Sequence, residues 1–402
     1  MNNNLQKCKL GDCIDFVIDN RGKTPKKLGG DWSNSGYRVI SALNVHNGFI
    51  DNEDQIRFVS EEIYSKWMRD DVIKNDVFIA SEGASLGENT IWDSDEKIVL
   101  GQRLYSLRTN PYKLDPWFLA AYMQTEKFRK QINQISTGST VFGVSQPVLL
   151  STILLVPLLD KQKNIGKFYR SIKRRIELCF KIERELKYFL VLLYERWFMQ
   201  FDFLNDDGKP YKTSGGELVW NAKMKIHIPI GWDIKKIGDI LFEESKSKTQ
   251  VNGATEKGKY PFFTSGDSIL GFNEFFVDGF NIFLNTGGNP DIKGYKGKAA
   301  YSTDTWCVTA GDYSFLLYYN LFKLIPQFEQ LFFAGSGLKH LQKNVLKGKY
   351  IIVPPKSILN KFNKICDLTW TKLSSNTDTI KELKELKDYL LPLLMNGQVT
   401  FK

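Results

Sequence analysis

The sequence predicts an α+β protein in which two globular domains alternate with two long helices as the two halves of an internal repeat. Three observations support this fold class. Two stretches carry helical apolar spacing, both remaining regions contain short β-type runs between turn clusters, and landmark residues recur at one offset. The predicted segments are residues 1–158 (first domain), 159–201 (central helix), 202–220 (linker), 221–354 (second domain) and 355–402 (C-terminal helix).

The first domain is predicted to mix helices and strands. β-type runs such as YRVISALNV and IVLGQRLYSLR alternate with turn clusters, and a helical pattern spans DPWFLAAYMQTEKFRKQI. Its most basic loop, NRGKTPKK, includes Gly22 and Pro25 and is a candidate for phosphate contact, with a solvated charged loop as the alternative at even odds. The cations of this loop are Arg21, Lys23, Lys26 and Lys27.

A second candidate in this domain is the turn STGSTVFGVSQPVLL. Small polar residues and two glycines lead into a predicted helix near Ser145, where Pro147 suits the first turn. Backbone N–H groups at such a start can hold a phosphate, and Thr140 or Gln146 could contact a base edge. The alternative is an ordinary capped turn.

The central stretch from Asp160 to Phe201 contains no proline and only one glycine, Gly166. Its apolar residues fall on steps of three and four, which predicts a helix with one apolar seam. At about 1.5 Å per residue the helix reaches roughly 60 Å, so it needs a partner helix. The predicted seam residues are Ile165, Phe168, Ile172, Ile182, Leu186, Phe189 and Leu193.

The C-terminal stretch from Pro355 to Asn396 supplies that partner. Its seam is similar, Gly397 marks the expected end of the helix, and Pro392 predicts a kink or fraying in the last turn. The predicted seam residues are Phe362, Ile365, Leu373, Ile380, Leu383, Leu386 and Leu390.

The two halves of the chain are related by an internal repeat. The dipeptide Val156-Pro157 precedes the first long helix and Val353-Pro354 precedes the second, an offset of 197 positions (353 − 156). Gly138-Ser139 recurs as Gly335-Ser336 at the same offset. Earlier landmarks recur at larger offsets, which indicates that the insertions lie in the first globular domain while the helices keep their length.

The second domain follows a stretch rich in Gly, Asp and Ser, which we interpret as a linker. Its strands are again short, and its glycine-containing loop NTGGNPDIKGYKGK interleaves cations with an aromatic residue, a pattern that suits a nucleic-acid surface. The candidates in this loop are Asn289, Lys293, Tyr295, Lys296 and Lys298. Further positive charge comes from Lys246, Lys248, Lys339, His340 and Lys343.

Composition indicates a globular protein with a polyanionic partner. The chain has 402 residues, 42% hydrophobic and 25% charged, with a formal net charge of +10. Five scattered cysteines match no zinc spacing and suggest reduced thiols in a cytoplasm. No stretch has the length and apolar composition of a signal or membrane segment, so no membrane role is expected.

The sequence contains no recognisable catalytic motif. FFAGSG, Phe333–Gly337, matches the F-x-G-x-G pattern of S-adenosylmethionine sites, but no nucleotide-binding sheet follows it. Asp95-Glu96-Lys97 resembles the end of a nuclease motif without the preceding Pro-Asp, and the three histidines are isolated in sequence. We therefore predict no catalytic residue, no cofactor site and no metal site in this chain.

Taken in order, several segments resemble the specificity subunits of type I restriction-modification systems. They are KLGDCIDFVIDNRGKTPKK, YRVISALNV, LGQRLYSLR, GSTVFGVSQPVLL, VPLLDKQKNI, YPFFTSGDSILGF, NTGGNPDIKGYKGKAAYS, GSGLKHLQK and LKDYLLPLLMNGQV. Each segment alone is weak, and their order within a twofold repeat is specific. The resemblance covers nearly the whole chain.

The resemblance implies that DNA recognition, methylation and cleavage are carried by different subunits. The globular domains would be target recognition domains, each reading half of a bipartite double-stranded DNA target, and the helices would pack as an antiparallel coiled coil that sets the spacing. Two modification subunits would bring S-adenosylmethionine and adenine methylation, and a restriction and motor subunit would bring ATP, Mg²⁺ and cleavage. The loop SKSKTQ stands where the second domain would carry NRGKTPKK, so the two half-sites are expected to differ.

Other functions stay open at this stage. One is a self-contained DNA methyltransferase or nuclease, which the missing motifs disfavour. A second is a coiled-coil scaffold that binds proteins through its two domains. A third keeps DNA recognition but attaches the chain to a fused methylase-nuclease. The sequence does not choose among Asn289, Gln146 and Arg21 as base readers.

Overall fold

The computed structural model describes residues 5–138, 140–255, 258–266, 268–335 and 339–401. The chain divides into two compact units: unit 1 comprises Met1–Cys179 and Ile380–Lys402, and unit 2 comprises Phe180–Thr379. Parts of the predicted repeat and of the F-x-G-x-G pattern fall on Ser139, Ser336 and Gly337, which lie outside the described residues.

Unit 1 combines short strands with helices, as the α+β prediction requires. Its strands are β1 (Gln6–Lys9), β2 (Ile14–Asp19), β3 (Tyr37–Ile40), β4 (Val45–His46), β5 (Phe49–Ile50), β6 (Arg57–Val59), β7 (Val77–Ala80), β8 (Asn89–Ile91), β9 (Val99–Leu100), β10 (Leu104–Thr109) and β11 (Ile153–Val156). Its helices are α1 (Glu61–Trp67), α2 (Pro116–Met123), α3 (Glu126–Ile135) and α4 (Gln146–Leu150), followed by α5 (Leu159–Tyr194), which runs on into unit 2. Single 3₁₀ turns occupy Leu10–Cys13, Lys26–Leu28, Ala42–Asn44 and Glu53–Gln55.

The strands of unit 1 form one main sheet and several smaller ones. The main sheet has the order β2-β10-β7-β8, and every neighbouring pair in it is antiparallel. A second sheet has the order β6-β3-β9, in which β3 is antiparallel to β6 and parallel to β9. Strands β1 and β11 pair at the base of α5, and β4 pairs with β5. Strand β6 is therefore one edge of the smaller sheet.

Strand β7 of the main sheet of unit 1 is buried on both faces. Successive side chains of a strand point to opposite faces. Val77 and Ile79 of β7 therefore join the apolar cluster that contains α2, whereas Phe78 and Ala80 join the cluster that contains α1. This explains why the sequence of β7 is a continuous apolar run rather than an alternating one.

Two cysteines differ from the prediction of reduced thiols. Cys8 on β1 and Cys13 at the end of the following 3₁₀ turn form a disulfide in the structure. The turn between them brings side chains five positions apart together. Cys307 and Cys366 are buried thiols whose pKa values are raised by burial.

Unit 2 has the same mixture of elements. Its strands are β12 (Leu218–Asn221), β13 (Ile226–Pro229), β14 (Asp233–Lys236), β15 (Phe242–Glu243), β16 (Tyr260–Phe263), β17 (Ile269–Phe272), β18 (Phe280–Asn285), β19 (Ile292–Lys296), β20 (Ala300–Tyr301), β21 (Thr305–Thr309), β22 (Phe333–Ala334), β23 (His340–Leu341) and β24 (Tyr350–Val353). Its helices are α6 (Ile237–Ile240), α7 (Ser314–Phe332), α8 (Lys343–Lys347) and α9 (Lys356–Met395), the last of which returns to unit 1. The 3₁₀ turns are Val251–Gly253 and Gly311–Tyr313.

Helix α7 packs against the main sheet of unit 2. The main sheet has the order β15-β21-β18-β19 with antiparallel neighbours. The smaller sheet has the order β17-β16-β20, in which β16 is antiparallel to β17 and parallel to β20. Strands β14 and β24 pair, as do β12 with β13 and β22 with β23.

The predicted linker, residues 202–220, is packed into unit 2. Phe203 is buried, its ring stacks on Tyr211 at 4.7 Å, and it also contacts Trp232. The Asp202 carboxylate accepts hydrogen bonds from the backbone and the hydroxyl of Thr213. Glycine and serine content suggested a loose connection, but Phe203 and Tyr211 anchor this stretch in the apolar core of unit 2.

The two long helices have nearly the predicted bounds. Helix α5 ends as an α-helix at Tyr194 and continues as a π-helical turn over Glu195–Met199. Helix α9 continues through Pro392 to Met395, so the predicted kink or fraying does not end it early. Gly397 adopts φ +66°, and its N–H donates to the Leu394 carbonyl at 3.1 Å, which confirms the predicted stop.

Burial along these helices departs from a strict heptad. Phe189 and Leu386 are 47% and 43% exposed, whereas Leu190 and Tyr194 are buried. A straight α-helix drifts by about 20° per heptad, so the buried stripe moves onto neighbouring positions. The seam prediction is therefore wrong for Phe189 and Leu386. The buried seam residues are Ile165, Ile172, Phe362, Leu373 and Ile380; the half-buried ones are Phe168, Ile182, Leu186, Leu193, Ile365, Leu383 and Leu390.

Candidate nucleic-acid interface

The basic loop after β2 holds its four cations in different ways. Lys23 donates to the Trp67 carbonyl at 2.6 Å and to the Asn20 side chain at 2.8 Å, and burial lowers its pKa. Lys27 donates to the Gly22 carbonyl at 2.8 Å. Lys26 is exposed and makes no side-chain hydrogen bond or ion pair with any described residue. Of these three lysines, Lys26 is best placed to contact a phosphate.

Arg21 and the segment that leads to Gln146, predicted separately, both contact Tyr105 on β10. The Arg21 guanidinium lies 4.4 Å from the centre of the Tyr105 ring, and the Tyr105 hydroxyl donates to the Val144 carbonyl at 3.2 Å. Arg21 also pairs with Asp19 at 2.8 Å, and that hydrogen bond raises the pKa of Arg21. The main sheet therefore brings two predicted loops onto one surface.

The turn that carries Thr140 projects from the same unit. Gly138 adopts φ +144°, and a Cβ there would meet the Val141 carbonyl oxygen at 2.1 Å, so the turn requires glycine. Thr140, Val141 and Phe142 are exposed at its tip. Gly143 then bridges to Glu82, which holds the turn against the loop after β7.

An open groove in unit 1 contains residues that the sequence analysis did not single out. Its volume is about 840 Å³, and Lys26 lies on its rim. The other basic groups are Arg57, at the start of β6, and Arg103, which adopts φ +62° and pairs with Glu82 at 3.1 Å. Trp32 also lines the groove and is 37% exposed. The groove combines cations, an aromatic face and the amides of Asn44, Gln55 and Gln102.

Apart from Lys26, the named groove residues come from four separate segments of the chain, which is why sequence reasoning missed them. Pairing of β3 with β6 places Arg57 opposite Val39, and the bridge between Ser33 and Phe58 holds Trp32 nearby. The available sequence signals were an arginine opening the β-type run RFV and a tryptophan inside a turn cluster. Without the fold, neither signal indicates that the two residues are neighbours.

The glycine-containing loop of unit 2 is largely tied to its own unit. Lys293 donates to the Gly266 carbonyl at 2.9 Å and pairs with Asp291 at 2.8 Å. Lys296 pairs with Asp367 of α9 at 2.5 Å and donates to Thr371 at 2.8 Å. These two lysines therefore hold the loop in place.

Other residues of the same loop differ in exposure. Tyr295 is half-buried against Phe263, and burial raises the pKa of Tyr295 to about 12. Asn289 is exposed. Lys298 is exposed with its ammonium 4.7 Å from the centre of the Phe275 ring. Asn289 and Lys298 are the members of this loop that remain accessible.

The remaining candidates of unit 2 lie in two places. Lys246 and Lys248 are exposed in the loop after β15. Lys343, at the start of α8, lies 4.6 Å from the centre of the Trp306 ring and 3.5 Å from Glu243, while Lys339 pairs with Glu329 at 2.6 Å. His340 is exposed on β23. The predicted cations are thus distributed over several surfaces of unit 2.

Within the described ranges, no group of three or more His, Cys, Asp or Glu side chains is arranged to hold a metal ion. Among the same residues, no helix combines the length and apolar composition that crossing a bilayer requires.

Comparisons with known proteins agree on one family. Residues 2–188 match the family of the type I restriction modification DNA specificity domain. The specificity subunit of the type I restriction enzyme MjaIX from Methanocaldococcus jannaschii is 26% identical over 305 residues, which are 70% of this chain and 68% of that protein. The EcoDI specificity subunit from Escherichia coli is 23% identical over 182 residues, or 43% of this chain and 40% of that protein.

A solved structure shares the fold. The S subunit of a type I restriction-modification system from M. genitalium aligns with a TM-score of 0.61 at 16% identity, over 98% of this chain and 97% of that chain. At this level of identity the likeness concerns the fold alone.

Proposed function

We propose that this chain is a specificity subunit of a type I restriction-modification system and that it recognises a DNA sequence in two parts, one through each unit. The match of residues 2–188 to the specificity domain and the similarity to the MjaIX specificity subunit support this proposal. In this proposal each unit is a target recognition domain. The scaffold and the self-contained enzyme, which the sequence left open, are not favoured by the comparisons.

The observation that carries the proposal is the equal strand order of the two units. When the strands of each sheet are numbered along the chain, the main sheet has the spatial order first, last, second, third in both units: β2-β10-β7-β8 and β15-β21-β18-β19. The smaller sheet has the order second, first, third in both units: β6-β3-β9 and β17-β16-β20. Strand directions agree as well, including the single parallel pair in each smaller sheet. Each unit also has an antiparallel pair whose later strand leads into a long helix. This agreement supports an internal pseudo-twofold repeat of one recognition domain.

We propose that the long helices form an antiparallel coiled coil that sets the spacing of the two half-sites. Helices of 36 and 40 residues extend roughly 54 and 60 Å, which exceeds one turn of B-DNA. Within unit 1, Ile176 of α5 and Ile380 of α9 share an apolar cluster. Within unit 2, Phe198 beyond the end of α5 packs edge-on against Phe362 of α9 at 4.7 Å. Both contacts support the antiparallel pairing.

The proposal includes an asymmetric target, because the two units present different side chains. Unit 1 offers Lys26, Arg57 and Arg103 around its groove, whereas the accessible cations of unit 2 include Lys246 and Lys298. Arginine makes planar two-point contacts to bases, whereas lysine acts as a point charge. Two domains with one fold and different reading groups would select different half-sites.

Similarity to this family also suggests the partners. We propose that the chain itself is non-catalytic and acts in the cytoplasm with two modification subunits, which carry S-adenosylmethionine and methylate adenine. A restriction and motor subunit carries ATP and Mg²⁺ and cleaves DNA. A fused methylase-nuclease partner is the variant of this assembly that genomic neighbours would reveal.

Selection from random DNA tests the proposal. The chain, alone and co-purified with its modification subunit, is offered a pool of random duplexes at two salt concentrations. Enrichment of a two-part motif with a fixed gap, and an affinity that falls steeply with salt, are the expected results. A pool that stays unenriched in the presence of the modification subunit would contradict DNA-sequence recognition.

A further inference from the structure

The groove of unit 1 contains a stacked arginine and tryptophan pair. The Arg57 guanidinium lies 4.8 Å from the centre of the Trp32 ring, and the Trp32 ring lies 6.3 Å from that of Trp67. Stacking on an indole holds the guanidinium plane while leaving its N–H edge available for hydrogen bonds. Arg57 is exposed and forms no ion pair with any described residue.

The neighbouring arginines differ from Arg57 in this respect. Arg21 is paired with Asp19 at 2.8 Å, and Arg103 is paired with Glu82 at 3.1 Å. A carboxylate partner occupies the same N–H groups that a base edge would use. Among these three arginines of unit 1, Arg57 is the one whose donor edge is held in place without being used.

The floor of the groove adds a second donor. Trp67 lines the groove and is 1% exposed, and its indole Nε1 has no hydrogen-bond partner among the described residues. Buried donors in folded proteins normally have an acceptor. The exposed donor edge of Arg57 therefore lies in a groove that also contains a buried donor without a described acceptor.

The position of Arg57 makes it accessible to a duplex. It is the first residue of β6, one of the two edge strands of the smaller sheet; β3 pairs with one side of this strand, and Ser33 bridges to the next residue, Phe58. The rim of the groove includes Lys26, an exposed cation suited to a phosphate. A duplex whose backbone contacts Lys26 could therefore bring a base edge to the groove.

We propose that Arg57, oriented by Trp32, reads a guanine in the half-site recognised by unit 1. Guanine presents two acceptors, O6 and N7, in the major groove, and the arginine fork matches them with two N–H groups. This inference rests on the proposed function and names the residue that determines specificity at one base pair. Lys26 contacts the backbone and contributes affinity without sequence preference.

The corresponding sheet of unit 2 provides a contrast. There the cations that lie over aromatic rings are lysines, Lys298 over Phe275 at 4.7 Å and Lys259 over Tyr260 at 5.2 Å. A lysine cannot form the planar two-point contact. The guanine assignment therefore applies to unit 1 alone.

The test compares four proteins, each co-purified with the modification subunit: the wild type, Arg57→Lys, Arg57→Ala and Lys26→Ala. Arg57→Lys keeps the charge and removes the planar fork. Binding is measured to the selected target and to duplexes in which each base pair of the unit 1 half-site is changed singly. A circular dichroism spectrum and a thermal melt for each variant establish that it is folded.

For both Arg57 variants we expect the preference for one G·C pair to fall roughly 5- to 150-fold, with the other positions unchanged. The salt dependence of Arg57→Lys stays that of the wild type because the charge is kept. Lys26→Ala weakens binding to all duplexes equally and reduces the salt slope by about one. Trp32→Leu, which removes the stacking surface, loses part of the same preference.

Two outcomes separate this inference from the proposed function. If the wild type selects a two-part motif and Arg57→Lys retains every base preference, the assignment of Arg57 is wrong and the proposed function stands. If the wild-type complex selects no motif, the proposed function itself fails.

Discussion

Gly166 on α5 lies directly against Asp115, the residue that caps α2. A Cβ built on Gly166 would be 2.4 Å from the Asp115 Oδ1 atom and 2.9 Å from the Trp117 Cβ atom. The same Oδ1 atom accepts a hydrogen bond from the Phe118 N–H at 2.8 Å, which caps the buried helix α2. The single glycine of the central stretch thus allows α5 to approach the start of α2.

Replacing Gly166 by alanine is expected to destabilise unit 1 by about 1–3 kcal/mol, because the clash disturbs the cap and the packing of α2. This loss would exceed the gain of about 1 kcal/mol that alanine brings to a helix. Thermal and denaturant unfolding measure the difference, with Lys167→Ala on the exposed face of α5 as the control. A Gly166→Ala protein as stable as the wild type would mean that the close approach is not required.

Substitutions of Lys296 and Lys298 are expected to have different effects: the first on stability and the second on DNA binding. Lys296→Ala breaks the ion pair with Asp367, so it should lower the free energy of unfolding by up to about 1 kcal/mol. In the wild type the Lys298 ammonium lies over the Phe275 ring and forms no ion pair with a described residue. Lys298→Ala should therefore leave stability unchanged while reducing the salt slope of DNA binding by about one. Melting curves and salt titrations of both variants provide the measurement. Equal effects of the two substitutions on stability would contradict this assignment.

Glu243 is expected to make the stability of unit 2 sensitive to acid. The hydrogen bond from Lys347 is the largest influence that lowers the pKa of Glu243, and its carboxylate also accepts from the Trp306 indole at 2.7 Å. Because the folded pKa lies below the ordinary value of 4.5, the ionised group stabilises the folded state above that pH. This contribution is lost as the pH falls through the folded pKa.

Denaturant unfolding between neutral pH and pH values below 4.5 tests this assignment with Glu243→Gln. The wild type should be the more stable protein at neutral pH, and the difference should shrink as the carboxylate takes up its proton. Glu274→Gln is the control, because Glu274 is exposed and pairs with no described residue. A difference between wild type and Glu243→Gln that stays constant with pH would rule out titration of Glu243 as its cause.

Lys173 is a buried cation of unit 1. It is 3% exposed, its ammonium lies 4.8 Å from the centre of the Phe49 ring, and its ion pair is with Glu177. Burial is the largest influence on its pKa, which is lowered. We expect Lys173→Met to cost less than about 1 kcal/mol, since an apolar side chain of similar length replaces a desolvated charge.

Removing the partner of Lys173 is expected to be worse than removing Lys173 itself. Glu177→Gln leaves a buried ammonium without its carboxylate, with an expected loss of about 1–3 kcal/mol. Urea unfolding of the two variants and of the double variant gives the comparison. Because both substitutions break the ion pair, the reverse order of stabilities would mean that Lys173 contributes through other contacts, such as the one with the Phe49 ring, more than its burial costs.

The long helices could be predicted from the sequence because their signals are local. Spacing of apolar residues indicated α5 and α9, and Gly397 marked the end of α9 because a helix C-terminus favours a residue with positive φ. The buried face was less predictable. Packing selects Leu190 in place of Phe189, since the contact follows the 3.6-residue turn of a straight helix.

The candidate interface was predictable only in part. Composition identified the basic loops, but it could not tell that Lys23 and Lys296 are held by backbone and carboxylate groups, which depends on tertiary contacts. Arg57 and Trp32 are separated by 25 positions (57 − 32), and their contact depends on the bridge between Ser33, next to Trp32, and Phe58 of β6. Strand pairing between distant segments is not encoded in any local pattern.

The discontinuity of unit 1 imposes an order on its assembly during translation. Leu391, Leu394 and Met395 belong to the same buried cluster as Leu10 and Ile165, yet they are synthesised after the whole of unit 2. Unit 2 is continuous over Phe180–Thr379 and can complete its core while these residues are still inside the ribosome. Until they emerge, the apolar surface of the first unit that they cover stays exposed.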